Sequence, residues 1–199
     1  MKNLFILAGG KSSRLGFDKL NITIYGKNIV EIIDQNIGDL FDQKFIVVKE
    51  EKALRIKDFK IIKDILEIEA PMAGVISSLM YSQSDKNFVC ACDMPFIKRE
   101  LIRYMLQFEG YDAVVPFYNG YFEPLCSVYS KTFLNIALDC VSKGVLSLTF
   151  AIKNSNVKRI ELSEILQFDS SLMSFKNINT KSDLEEANEE FKLEYTKYI

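Results

Sequence analysis

The chain contains no histidine, and that absence removes more chemistry than any other feature of its composition. Ser-His-Asp and Cys-His catalysis are excluded, as is every mechanism that requires an imidazole base. Cysteine is scarce: four residues, at 90, 92, 126 and 140, with no C-x-x-C pair. With no histidine to complete a ligand set, that spacing gives no pattern for a zinc site. Cys90 and Cys92 flank Ala91 at the end of an apolar run, so buried, reduced thiols are expected. Apolar runs of membrane-spanning length are also missing, and the start MKNLFILAGG is too short and too soon glycine-rich for a signal peptide. The expectation is a soluble cytoplasmic protein, in which the sequon Asn21-Ile22-Thr23 has no meaning. Nor is charge of one sign in excess. The 25 basic and 27 acidic side chains leave a net charge of −2, which gives no footprint for nucleic acid or an anionic membrane.

What is present is an alternation. At 199 residues and 48% hydrophobic, the chain is long enough for one domain with a full core, and it has no repeat, low-complexity stretch or linker. Short β-type runs at 3–8, 44–49, 59–63, 87–92 and 112–117 are separated by helical patterns. One of these, KNIVEIIDQNIGDLF, places Ile29, Ile32, Ile33 and Ile37 on one face; PMAGVISSLMYS and KRELIRYMLQF behave alike. This indicates an α/β fold with a mostly parallel sheet whose strands, covered on both faces, need no polar alternation. Beyond residue 118 the pattern loosens into a β-like YFEPLCSVYS, a helical KTFLNIALDCV, a mixed VLSLTFAIKN, a short VKRIEL and a last amphipathic helix. Thr180 or Ser182 is placed to cap that helix, and FYNGY reads as a turn.

The first strand runs into LAGGKSSRLGFDK, residues 7–19, where Gly10-Lys11-Ser12 suggests a P-loop. A Walker A loop needs another glycine five positions before its last one, and Phe5 stands there. The spacing of Gly9, Gly10 and Gly16 likewise fails the G-x-G-x-x-G fingerprint. What remains is a strand leading into a glycine-rich loop with Lys11, Arg14 and Lys19, a combination that binds phosphate. Of these cations, Arg14 and Lys19 are the functional candidates, and Lys11 reads as solvated surface.

Ligands of open α/β sheets bind outside the carboxyl ends of the strands. Reading just past those ends gives the glycine loop, Lys49, Asp64 and Asp93. Asp93 in CDMPF follows an apolar strand, with Pro95 stiffening the turn, and lies too early to cap the helix beginning near Lys98. A carboxylate so placed suits Mg²⁺, which takes one or two carboxylates and bridges substrate phosphates. Asp64 forms an Asx-turn as readily as it meets a ligand. Gly74, early in a helix, permits close approach of a ligand or simply of a neighbouring element. Glu123 and Pro124 stand in the β-like segment. Asn177 and Asn179 alternate around Ile178, so on an extended chain their amides point the same way, either to read a planar heterocycle or as turn asparagines before the helix.

Taken together, these motifs resemble the molybdenum cofactor guanylyltransferase family. LAGGKSSRLGFDK is similar to the family's L-A-G-G-x-x-x-R-M-G-x-D-K, with Leu15 in place of methionine, and CDMPFI to its C-D-x-P-[FY]-[IL]. IIKD, APMAG and NINTKSDL resemble further blocks, the last with Lys181 where the family has proline. The resemblance implies a three-layer α/β/α nucleotidyltransferase fold over residues 1–199, with a nucleotide-binding part at 1–118 and an acceptor-binding part at 119–199. It implies GTP and molybdopterin as substrates, Mg²⁺ as cofactor, and molybdoenzyme apoproteins or their chaperones as partners. Leu7, Ala8, Gly9 and Gly10 would line the nucleotide site with Lys19, Asp64 and Gly74. Asp93 would bind the metal, with Arg14 and Lys19 also catalytic, and Asn177 and Asn179 would face the pterin. Lys49 departs from the family, which often has asparagine there. Relatives using CTP or sugar phosphates more often carry L-A-A-G where this chain has Ala8-Gly9-Gly10.

Overall fold

The computed structural model describes residues 1–8, 19–50 and 56–196, excluding the side chains of Lys19 and of 190–196. Gly9, Gly10 and Arg14 lie outside the described residues, as does the side chain of Lys19. The strands are β1 (Lys2–Leu7), β2 (Thr23–Ile24), β3 (Lys27–Asn28), β4 (Gln43–Val48), β5 (Lys60–Lys63), β6 (Lys86–Ala91), β7 (Ala113–Tyr118), β8 (Tyr121–Phe122), β9 (Cys126–Tyr129) and β10 (Val157–Glu161). The helices are α1 (Ile29–Ile37), α2 (Pro71–Tyr81), α3 (Arg99–Met105), α4 (Thr132–Ser142), α5 (Leu148–Lys153), α6 (Leu162–Ile165) and α7 (Lys181–Thr196).

β1 explains why the apolar runs do not alternate. Leu4 and Ile6 enter one core cluster while Phe5 and Leu7 enter the other, so both faces of the strand are buried. The first cluster is closed by α1, α3, α6 and α7 through residues such as Ile33, Ile102, Ile165 and Ala187. The second is closed by α2, α4 and α5 through Ile76, Phe133 and Ile152. The result is a three-layer α/β/α sandwich. Its main sheet runs β10-β7-β9-β6-β1-β4-β5, with β8 paired to β7. β9 is antiparallel to both neighbours, whereas the other ladders along that path are parallel.

The chain builds outward from β1 to β4 and β5, then α2 carries it back so that β6 pairs on the opposite side of β1. The order therefore reverses between β1 and β6, the kind of point at which α/β sheets open a crevice. At the opposite, amino edge, Asn3 donates to Ser82 Oγ at 2.8 Å, and Asn87 donates to the Tyr129 carbonyl at 3.1 Å. These buried groups fasten β1, β6 and β9 together there.

The loosely patterned part resolves differently from its reading in two places. YFEPLCSVYS is not one strand but two, β8 and β9, parted at residues 123–125. VLSLTFAIKN gives helix α5, capped by Ser147, whose hydroxyl accepts from Phe150 N–H at 3.2 Å. FYNGY is the β7–β8 hairpin turn, with φ of 52° at Asn119 and 83° at Gly120, the left-handed pair that two-residue hairpins require.

α7 is capped by Thr180. Its hydroxyl accepts from Asp183 N–H at 3.1 Å, and the Asp183 carboxylate accepts from Thr180 N–H at 2.8 Å. Thr180→Ala is expected to cost about 1 kcal/mol, read as a lower urea midpoint with an unchanged denaturant slope.

Candidate active site

Main-chain hydrogen bonds link the carboxyl ends of β5, β4, β1 and β6 in series, and continue to the residue before the amino end of the antiparallel β9. Ala8 N–H donates to Val47, Asp64 N–H to Val48, Cys92 N–H to Leu7 and Ala91 N–H to Leu125, at 2.9, 2.7, 3.1 and 3.1 Å. Leu7, Ala8, Asp64 and Asp93 thus share one edge of the sheet, as the strand-end reading expects. Gly9, Gly10 and Arg14 lie outside the described residues, and Lys19 contributes only its backbone, opening a 3₁₀ turn over Lys19–Asn21.

Asp93 lies in a turn directly after β6, is 7% exposed, and directly follows Cys92, whose N–H makes the bond to Leu7 at the switch point. The turn is stiff for identifiable reasons. Met94 N–H closes it on the Ala91 carbonyl at 3.3 Å, and the Pro95 carbonyl accepts from Asn36 Nδ2 on α1 at 3.0 Å. Helix α3 starts later and is capped at Lys98, so Asp93 has no capping role there. On the other side, Ile178 N–H donates to the Asp93 carbonyl at 2.9 Å. Ile178 is fully buried, Asn177 is exposed and Asn179 is half-buried. The buried isoleucine anchors this segment to the turn of Asp93, and the asparagines on either side of it are less buried.

Asp64 is held in place by α2. Its Oδ1 accepts from Ser77 Oγ at 2.7 Å and from Leu66 N–H at 3.2 Å, and Ile65 N–H donates to Ser77 Oγ at 3.0 Å. This is the Asx-turn, reinforced by a buried serine. Lys49 secures the far end of the same loop by donating to the Ile68 carbonyl at 2.6 Å. Gly74 has a packing reason to be glycine, because a Cβ there would stand 3.0 Å from Leu7 Cδ1. It seats the first turn of α2 on the last residue of β1.

Glu123 belongs to this site and is the residue that sequence reading named without assigning. Burial raises its carboxyl pKa above the usual range, the Leu125 N–H opposes that, and the charge of Asp93 adds to the rise. The available signal was a glutamate-proline pair interrupting a β-like run. What patterning could not supply is that β9 returns beside β6, the strand that carries Asp93.

Among the described residues, no group of three or more His, Cys, Asp or Glu could hold a metal by itself. The hard donor at this junction is the carboxylate of Asp93. One carboxylate there fits Mg²⁺, which takes one or two and completes its shell with phosphate and water. Softer ions would call for nitrogen or thiolate ligands; the chain has no histidine, and Cys90, Cys92 and Cys126 are buried, with desolvation pushing up the thiol pKa values of Cys90 and Cys126.

A doubly wound sheet with a buried carboxylate just past its switch point defines an α/β protein of the kind that binds ligands at that edge. Comparison with known proteins is more specific. Residues 4–151 match the family described as MobA-like NTP transferase domain. A probable molybdenum cofactor guanylyltransferase of Natranaerobius thermophilus is 34% identical over 189 residues, 92% of each chain. One of Methanosarcina mazei is 33% identical over 200 residues, covering 92% of this chain and 88% of that one. The crystal structure of molybdopterin-guanine dinucleotide biosynthesis protein A from Archaeoglobus fulgidus aligns with a TM-score of 0.82 at 27% identity, covering 96% of this chain and 98% of that one. The chain belongs to the MobA-like NTP transferase family and is a nucleotidyltransferase.

The doubly used Ser77 hydroxyl gives a stability test. Ser77→Ala leaves Ile65 N–H and Asp64 Oδ1 each without a partner they now have, and about 1–3 kcal/mol of destabilisation is expected from urea unfolding.

Proposed function

We propose that this chain transfers GMP from GTP to molybdopterin, forming molybdopterin guanine dinucleotide and pyrophosphate, with Mg²⁺ as the divalent cofactor. The observation that carries this reading is the placement of Asp93. Main-chain bonds from its turn run to the end of β1 through Cys92 and Leu7, and to the NINT segment through Ile178. A carboxylate at that junction is tied to the end of β1, which leads into the glycine-rich stretch, and to the segment that carries the two asparagines. The names of the relatives support the choice of substrates.

The reaction suits a chain without histidine. The attacking group is a phosphate already ionised at neutral pH, so no general base is needed, and catalysis reduces to positioning and charge neutralisation. Asp93 would hold Mg²⁺, whose charge offsets that of the substrate phosphates. Arg14 and Lys19 would take up charge developing on the α-phosphate and the departing pyrophosphate. Leu7, Ala8, Gly9 and Gly10 would line the phosphate side. Asp64, with Gly74 behind it, would border the nucleoside, and Asn177 and Asn179 the pterin. In this reading residues 1–118 serve the nucleotide and 119–199 the acceptor, the setting is the cytoplasm, and the product passes to molybdoenzyme apoproteins or their chaperones.

Lys49 would not read the base as an asparagine amide does, because a lysine offers donors only and one of them is spent on Ile68. Base selection then rests on other groups of the edge. GTP is expected to raise the unfolding midpoint in the presence of Mg²⁺ more than CTP or UTP at equal concentration. Equal protection by the three would count against guanylyl transfer. Asp93→Ala is expected to unfold at close to the wild-type midpoint while dinucleotide formation falls about 10²-fold or more. Near-normal Mg²⁺-dependent product formation by that variant would overturn its assigned role.

A further inference from the structure

Between β8 and β9 the strand opposite β7 gains residues. Phe117 faces Phe122, yet Val114 faces Val128, so three steps along β7 correspond to six along its partner. The surplus, Glu123, Pro124 and Leu125, is a bulge at the carboxyl edge, and bulges beside sites re-aim a side chain. The bulge is secured by its own main chain. Glu123 N–H donates to Pro116, its carbonyl accepts from Cys126 N–H and Ser127 Oγ, and the Pro124 carbonyl accepts from the buried Tyr129 hydroxyl. The side chain, in contrast, has little to occupy it. Among the described residues its carboxylate accepts one long hydrogen bond, from Leu125 N–H at 3.4 Å.

Position in the sheet says which ligand this carboxylate would meet. Cys90 faces Cys126, and three further steps along each strand, in opposite directions, reach Asp93 and Glu123. Ala91 N–H still donates to Leu125 beyond the last registered pair, so the bulge stays against β6 up to that point. It therefore lies on the β9 side of Asp93, whereas Asp64, Lys49 and the loop they fasten lie on the β4–β5 side of β1. Tyr118, at the end of β7, stacks its ring on Phe175 at 4.8 Å, two residues before Asn177. Aromatic surface, two asparagines and an under-used carboxylate are thus grouped on the side away from Asp64 and Lys49, which the proposed function gives to the nucleotide.

We propose that Glu123 reads the acceptor, its carboxylate accepting from the ring N–H and the exocyclic amino group that a pterin presents side by side. Two parallel donors match two carboxylate oxygens, the fork geometry that makes arginine–carboxylate pairs selective. Guanine carries the same pair of donors, so the shared chemistry is that of a 2-amino-4-oxo edge, and position assigns it to the acceptor. The inference rests on the acceptor half of the proposed reaction, and Glu123 is here a specificity residue.

The test uses 6-hydroxymethylpterin and 6-hydroxymethyllumazine, which has a carbonyl oxygen in place of the amino group, with binding followed by ligand fluorescence. The wild type is expected to favour the pterin by at least about tenfold, since a site built for donors rejects the analogue lacking them. Glu123→Gln, whose amide can donate to the lumazine oxygen, is expected to bring the two near parity, while Glu123→Asp keeps the preference. With molybdopterin as substrate, Glu123→Gln is expected to raise its KM about tenfold or more with kcat little changed, and to leave the preference for GTP over ITP, which lacks the amino group, as in the wild type. Absence of a pterin preference in the wild type, its retention in a folded Glu123→Gln, or a shift in the GTP-over-ITP preference instead would overturn the inference. The binding arm does not depend on turnover. A wild type that favours the pterin yet makes no dinucleotide would therefore sink the functional reading and leave this one standing.

Discussion

The hydrogen bond from Cys92 N–H to the Leu7 carbonyl joins β1 to β6 just where the strand order reverses. Every other feature of the site is placed relative to that junction. Past it β1 leads toward the glycine-rich stretch and β6 into the turn carrying Asp93, the kind of divergence at which α/β sheets bind ligands. The bond holds because both strands are buried on both faces. Leu4, Phe5 and Ile6 are fully buried, as are Phe88, Val89 and Cys90, so packing from α1 and α2 clamps the pair from above and below.

The two edges of the sheet are finished differently. At the amino edge, Asn3, Ser82, Ser84 and Asn87 bond largely to one another and to main chain, a cluster that fastens strands and leaves no opening. At the carboxyl edge the polar groups are anchored by neighbouring elements. Asp64 is backed by Ser77, Ile68 by Lys49, and the turn after Asp93 by Asn36. Anchoring of this kind fixes side chains before a substrate arrives, the condition under which fixed charges lower a barrier without reorganising.

The absence of histidine and the nature of this edge are consistent with each other. A transferase whose nucleophile is already an anion needs cations and geometry, and the residues proposed for those roles, Arg14, Lys19 and Asp93, include no proton shuttle. Glu123 extends that logic to the second substrate. A carboxylate beside another carboxylate would be poorly placed for phosphate, but well placed for the donor edge of a heterocycle.

By itself the sequence determined the layers, and it did so through burial. Short apolar runs without alternation, bounded by turn signals, fit strands covered on both faces, and the spacing of Ile29, Ile32, Ile33 and Ile37 fits one face of a helix. It also located Asp64 and Asp93, because a strand end is visible as the point where an apolar run stops. Three matters were decided only by the tertiary structure. The close approach at Gly74 is made by Leu7, a partner far away along the chain. Lys49 finds its acceptor, Ile68, across a loop. Glu123 gains its meaning from β9 lying antiparallel beside β6, so that a bulge late in the chain comes to stand by Asp93. The physical reason is the same in each case. Local sequence fixes periodicity and burial, but which strand ends meet depends on the sheet order, and that is set by packing over the whole chain.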